Sequence, residues 1–156
     1  MNIMKALITG ASSGIGLEMA RILSREGFEL ILVAREKEKL QKVQEELGKN
    51  VKIVVADLSN GSKLKELYVL CKNDKIDVLI NNAGFGDCGK FTETDLSKEL
   101  EMIDVNIKAV HVLTKLFLKD MKKRNSGYIL NVASMAAFAP GPLMATYYST
   151  KAYVLR

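Results

Sequence analysis

Cysteine and histidine are scarce in this chain: among 156 residues there are only Cys71, Cys88 and His111. They have no metal-ligand spacing, so a zinc site is not expected, and two cysteines cannot build a disulfide framework. Free thiols suit a reducing compartment, and the expected location is cytoplasmic. A long apolar run is missing too. The stretch from Tyr128 to Tyr148 is broken by Asn131, Pro140, Gly141 and Pro142, so it cannot form a bilayer-spanning helix, and no membrane partner is expected. The first residues, Met1-Asn2-Ile3-Met4-Lys5, lead directly into a strand pattern and read as carrying no signal peptide. Internal repeats, linkers and low-complexity tracts are also lacking. Charge of one sign is not concentrated anywhere. The 23 basic and 18 acidic residues leave a net charge of +5, but they interleave, as in Arg35-Glu36-Lys37-Glu38-Lys39. That pattern reads as solvated helical surface, and no nucleic-acid partner is expected.

What is present is the balance of an ordinary globular protein, 48% hydrophobic and 26% charged. The length fits one domain over residues 1–156. Apolar runs alternate with amphipathic helical patterns throughout. Strands are expected over Ile3–Thr9, Phe28–Val33, Val51–Ala56, Ile76–Ile80 and Tyr128–Val132. Helices are expected over Gly14–Glu26, Glu36–Leu47, Ser62–Cys71 and Leu96–Arg124, the last broken before or near Asn106, with another starting near Thr146. In the second helix Leu40, Val43 and Leu47 share a face, and in the third Leu64, Leu67 and Leu70 are expected to point inward. Alternating strands and helices predict an α/β fold with a parallel sheet covered on both faces. Continuous apolar strands agree with burial on both sides. The crossover rule and the first glycine-rich turn favour a Rossmann-like, doubly wound order 3-2-1-4-5.

That turn is Thr9-Gly10-Ala11-Ser12-Ser13-Gly14-Ile15-Gly16. Glycines serve where the backbone takes positive φ or a phosphate comes close, and the following helix N-terminus attracts a pyrophosphate. Alone it also fits a simple tight connection. After the second strand, Ala34-Arg35 stands where NAD-binding chains usually carry a carboxylate. A guanidinium there suits a 2′-phosphate, although a surface arginine opening a charged helix is the plainer alternative. Asp57-Leu58 and Asn81-Asn82-Ala83-Gly84 follow the third and fourth strands, on the edge where ligands gather. Asp57 is either an adenine acceptor or a helix cap. Asn81 is as well suited to tying strands together as to touching a cofactor. Tyr147 and Lys151 lie four apart on one helix face, and Ser134 follows the fifth strand. His111, among Val110, Val112 and Leu113, reads as packing or interface.

Taken together, and in this order, Thr9-Gly10-x-x-x-Gly14-x-Gly16, Asp57, Asn81-Asn82-Ala83-Gly84, Asn106, Ser134 and Tyr147-x-x-x-Lys151 resemble the short-chain dehydrogenase/reductase family. The resemblance covers essentially the whole chain. It implies hydride transfer between a nicotinamide cofactor and a ketone, aldehyde or secondary alcohol. In that reading Tyr147 is the acid/base, Lys151 its activator, Ser134 the anchor of the carbonyl oxygen and Asn106 a member of a water-holding relay. The expected cofactor-binding set is Gly10, Ser12, Ser13, Gly14, Ile15, Gly16, Arg35, Asp57, Leu58, Asn82, Ala83 and Gly84, joined by Tyr147 and Lys151. Arg35 favours NADP(H) over NAD(H). A free tyrosine ionises only near pH ~10, and a neighbouring ammonium favours its phenolate. Asn106 has a second reading as a buried structural amide. Tyr148 and Tyr153 do not match the family spacing.

Chains of this family continue past the lysine, whereas here the sequence stops at Tyr153-Val154-Leu155-Arg156. The expectation is a shortened chain lacking the family's last strands, with turnover doubtful and a non-catalytic nucleotide-binding fragment as the alternative. An uncovered fifth strand would leave an apolar edge. A homo-oligomer is therefore expected, using that edge and the Leu96–Arg124 helix. The sugar-nucleotide epimerase branch spaces its glycines as G-x-x-G-x-x-G, and the enoyl-reductase branch separates its Tyr and Lys more widely. The apolar residues Phe85, Met135, Phe138, Leu143 and Met144 point to a fairly apolar carbonyl substrate.

Overall fold

The computed structural model describes residues 3–156. Met1 and Asn2, which enter the reading of the N-terminus, lie outside the described residues. Five parallel strands, β1 (Lys5–Thr9), β2 (Glu29–Ala34), β3 (Val51–Val55), β4 (Val78–Asn81) and β5 (Tyr128–Asn131), form one sheet in the order β3-β2-β1-β4-β5. The helices are α1 (Gly14–Arg25), α2 (Lys37–Leu47), α3 (Gly61–Cys71), α4 (Leu96–Ile103), α5 (Val110–Lys123) and α6 (Ala145–Leu155). This is the doubly wound arrangement that the strand–helix alternation predicts.

Successive residues of a strand point to opposite faces, and the two cores sort accordingly. Leu7, Ile31, Val33 and Leu79 pack on one face with Leu64, Leu67 and Cys71 of α3 and Leu113, Phe117 and Met121 of α5. Ala6, Ile8, Leu30, Leu32 and Ile80 pack on the other, with Ala20 of α1 and Leu40 and Val43 of α2. Each fully buried Leu or Ile side chain contributes roughly 1.5–3 kcal/mol. The three inner strands, β2, β1 and β4, are therefore held from both sides.

One inward assignment is corrected. Leu64 and Leu67 are buried, but Leu70 is 59% exposed, and Cys71 takes the inward place. Residues 64, 67 and 71 follow the three-and-four spacing of one helical face, whereas position 70 falls on the solvent side. Cys71 and Cys88 are both free, and burial pushes the Cys71 thiol up to about 11. Among the described residues, no group of three or more His, Cys, Asp or Glu is placed to hold a metal ion. No described helix is long and apolar enough to cross a membrane.

The long fourth helical segment is interrupted as its sequence suggests. Between α4 and α5 the chain makes a π-helical stretch, Asp104–Ala109. A wide turn of this kind re-aims side chains, and here it turns Asn106 fully inward, to 1% exposure. At the sheet edge, β5 leaves Tyr128 and Leu130 exposed.

Candidate active site

The loops after β1, β2, β3, β4 and β5 converge at the carboxyl edge of the sheet around one cavity of about 460 Å³. Its walls include Gly10, Ser12, Ser13, Gly14 and Ile15 from the first turn. Arg35, Asp57, Leu58, Asn82, Ala83 and Gly84 follow along the edge, with Tyr147 and Lys151 beyond them. Of the fourteen residues expected to bind cofactor, thirteen line the cavity and Gly16 does not; the catalytic candidates Ser134 and Asn106 are also absent from its wall.

The first turn is shaped by close approach. Gly10 has φ +66°, and a Cβ there would stand 2.9 Å from Ala83 Cα. Its N–H and that of Ala11 donate to the Val33 carbonyl at 2.8 and 3.3 Å. Gly14 has φ +54° with open space beside it. Ser13 precedes α1 without capping it through its side chain, and among the described residues no other side chain bonds the first N–H groups of that helix. Gly16 does another job: a Cβ there would meet Asn82 Nδ2 and the Gly10 carbonyl, both at 2.4 Å. It lets α1 pack against the turn.

The asparagines after β4 lock backbone. Asn81 Nδ2 donates to Thr114 Oγ1 at 3.0 Å and to Asn131 Oδ1 at 2.8 Å, tying β4 to α5 and β5. Asn82 Nδ2 donates to the carbonyls of Thr9 and Gly10 at 3.0 and 3.2 Å. Thr9, which the sequence marks only as part of the glycine motif, is the hub. Its hydroxyl donates to the Ile80 carbonyl at 3.3 Å and accepts from the N–H groups of Asn82 and Ala83, each at 3.0 Å.

Asn106 holds the next segment. Its Oδ1 accepts from Phe85 N–H at 3.1 Å, while Nδ2 donates to the Phe85 carbonyl at 2.8 Å and to Thr150 Oγ1 at 3.0 Å. A Cβ on Gly84 would lie 3.0 Å from Asn106 Oδ1 and 3.4 Å from Lys151 Nζ. Asn106, Gly84 and the base of α6 thus meet at one point. Nothing in the sequence marks Thr150, and Phe85 stands out there only as an apolar loop residue; their bonds to Asn106 follow from the π-helical turn.

On α6, Lys151 is 6% exposed, and its Nζ donates to the Val132 carbonyl at 2.9 Å. Among the described residues no carboxylate lies within ion-pair distance of it. Burial holds its pKa below the ordinary lysine value. The ammonium lies 6.0 Å from the centre of the Tyr147 ring. Tyr147 in turn rests against Gly86, where a Cβ would be 3.1 Å from the ring. The other tyrosines point elsewhere: Tyr148 covers Gly141, and the Tyr153 hydroxyl bonds His111 Nδ1 at 2.7 Å. Ser134 caps the short 3₁₀ turn Met135–Phe138, its Oγ accepting from Ala136 N–H at 3.1 Å.

At the opposite end, Asp57 Oδ1 accepts from the N–H and hydroxyl of Ser59 at 3.0 and 2.8 Å. Burial opposes its charge, but these bonds and the field of Arg35 hold its carboxyl below the usual range. Asp57 is not the cap of α3; Asn60 is, accepting from Ser62 N–H at 3.0 Å. Arg35 is exposed and forms an ion pair with Glu101 of α4, Nη1 to Oε1 at 2.6 Å. Glu101 stands in no motif, and nothing in the sequence connects it to Arg35.

The family described as short chain dehydrogenase matches residues 4–156. The chain belongs to that family. An uncharacterized oxidoreductase of Staphylococcus epidermidis is 35% identical over 151 residues, covering 96% of this chain and 66% of the relative. The chain thus spans about two thirds of the length of such relatives. Among solved structures, a short-chain dehydrogenase from Sphingobium yanoikuyae in complex with NADPH is similar, with TM-score 0.91 and 35% identity over 98% of this chain and 62% of that one. So is the bulky-bulky ketone specific alcohol dehydrogenase from Comamonas testosteroni, with TM-score 0.92 and 34% identity over 99% and 64%.

Proposed function

We propose that this chain is the nucleotide-binding and catalytic portion of an NADP(H)-dependent oxidoreductase that interconverts a ketone or aldehyde with a secondary alcohol. The observation that carries the reading is the cavity itself: Tyr147 and the buried, carboxylate-free ammonium of Lys151 share it with the glycine turn of Gly10 and Gly14. The residues fit a nicotinamide dinucleotide. Positive φ at Gly10 and Gly14 and the uncapped start of α1 suit a pyrophosphate. Asp57 and Leu58 suit the adenine, Arg35 the 2′-phosphate, and Lys151 a ribose hydroxyl. NADPH and ketone in the names of the two similar solved structures point the same way.

Bound nicotinamide would supply or accept the hydride. The chain's own part is the proton and the charge. Tyr147 donates its phenolic proton to the developing alkoxide, or takes it in the oxidative direction. Lys151 holds positive charge beside the phenolate, in a site where burial weakens competition from water. Ser134 donates a hydrogen bond to the substrate oxygen once its hydroxyl turns from the 3₁₀ cap; a preorganised donor of this kind is worth about 3 kcal/mol. Asn106 fixes the Phe85 backbone and Thr150, and so sets the position of α6 and its Tyr147-Lys151 pair.

Turnover is tested with NADPH and a panel of apolar ketones, comparing wild type with Tyr147→Phe. The expected result is a loss of about 10²–10⁴-fold in rate with cofactor affinity retained. An equal rate in the variant would contradict the role of Tyr147. The position of Ser134 favours a second reading, a chain that binds the dinucleotide without turning over: its Oγ is engaged in its own turn, off the cavity wall. Tight NADPH binding with no reduction of any carbonyl would select that reading. Self-association belongs to the same proposal, since Leu96, Leu100 and Leu118 are exposed along α4 and α5, as are Tyr128 and Leu130 on β5.

A further inference from the structure

Arg35 lines the cavity just after β2, and Glu101 on α4 reaches it from outside that lining. Glu101 precedes Val105 by four residues, one helical turn, and Val105 lines the cavity together with Arg35 and Asp57. The 2.6 Å ion pair therefore lies beside the end of the cavity that the adenosine would occupy. Arg35 is the one group there proposed to receive a 2′-phosphate, and its guanidinium is already engaged by a carboxylate. We propose that Glu101 is a specificity-setting residue: its carboxylate occupies Arg35 until a 2′-phosphate displaces it, and thereby moderates affinity for 2′-phosphorylated nucleotides. The inference rests on the NADP(H) reading of Arg35.

The physical argument is a competition for one guanidinium. A phosphate dianion is a better partner for the planar fork than a single carboxylate oxygen. To bind, it must break the existing pair, and it then sits beside the released Glu101 charge. A nucleotide without the 2′-phosphate gains nothing from a freed Arg35. Removing the negative charge of Glu101 therefore favours only the phosphorylated ligand. Both side chains are partly exposed, Arg35 at 60% and Glu101 at 36%, so the effect is modest. A change of about two- to five-fold in Kd is the scale for an exposed pair.

The test uses fragments that report the adenosine end alone. Adenosine 2′,5′-bisphosphate and adenosine 5′-monophosphate are titrated calorimetrically into wild type, Glu101→Gln, Glu101→Ala, Arg35→Ala and Arg35→Ala/Glu101→Gln. Thermal midpoints confirm that each variant is folded. Both Glu101 variants are expected to bind the bisphosphate about two- to five-fold more tightly, leave the monophosphate unchanged, and lose this effect in the Arg35→Ala background. Unchanged or weaker bisphosphate binding in the Glu101 variants, or an equal gain for both fragments, overturns the inference. If Arg35→Ala still weakens the bisphosphate in that case, the reading of Arg35 survives. Bisphosphate binding that ignores Arg35, or no binding of either fragment to wild type, overturns both.

Discussion

At residue scale two buried polar side chains of the site, Asn106 and Lys151, pull in opposite directions. Asn106 has its amide satisfied by Phe85 and Thr150. Asn106→Ala would take their partner from the part-buried Phe85 N–H and carbonyl, while the Thr150 hydroxyl would keep its bond to the Tyr147 carbonyl, and each unsatisfied group costs about 1–3 kcal/mol. Partial relaxation leaves an expected loss of roughly 2–4 kcal/mol, read from urea unfolding; a loss under ~1 kcal/mol would refute this role. Among the described residues, buried Lys151 has one hydrogen bond and no counter-charge. Its lowered pKa comes from desolvation. Between that value and the ordinary lysine range the unfolded chain binds more protons, so stability contributed by this group is greatest above the ordinary range. It is lost as pH falls through the lowered pKa. The stability gap between Lys151→Met and wild type should accordingly narrow as pH rises from 7 into the alkaline range. A gap that stays constant or widens would show that the ammonium is not strained by burial.

At the scale of elements, the glycine turn gives two contrasted substitutions. Gly16→Ala places a methyl 2.4 Å from backbone and from Asn82, and overpacking of that kind costs about 1–3 kcal/mol or more. Gly14→Ala meets nothing, and only its positive φ opposes it, for about 1 kcal/mol. Chemical denaturation should therefore rank Gly16→Ala as the more damaging; the reverse order would mean that the turn is held differently. The same elements show what a sequence discloses. Strands β1, β2 and β4 and helices α1 and α2 were legible because apolar spacing reports a buried face directly. Leu70 was misread because three leucines at equal spacing look like one face, and only the fourth-residue step to Cys71 resolves it. The cavity wall was legible where glycine or a motif marks it. Gly16 looked like a ligand contact because spacing alone cannot separate a glycine needed by a ligand from one needed by a helix. Thr9, Phe85, Glu101 and Val132 act through hydroxyl, backbone or a single ion pair, none of which leaves a periodic trace.

At the scale of the whole molecule, one sheet with helices on both faces brings five loops to one edge and leaves β5 uncovered on its far side. Exposed Tyr128 and Leu130, with Leu96, Leu100 and Leu118 on the α4 and α5 surface, form apolar area of the kind that mediates association. Multi-angle light scattering at micromolar concentration is expected to give at least a dimer; a well-behaved monomer would contradict that part of the proposal. The central claim concerns the nucleotide half. It is tested most directly by titrating wild type and Arg35→Ala with NADPH and NADH, following cofactor fluorescence. The account predicts that wild type prefers NADPH and that Arg35→Ala loses the preference while still binding. Binding of neither cofactor, or a preference untouched by the substitution, would contradict it.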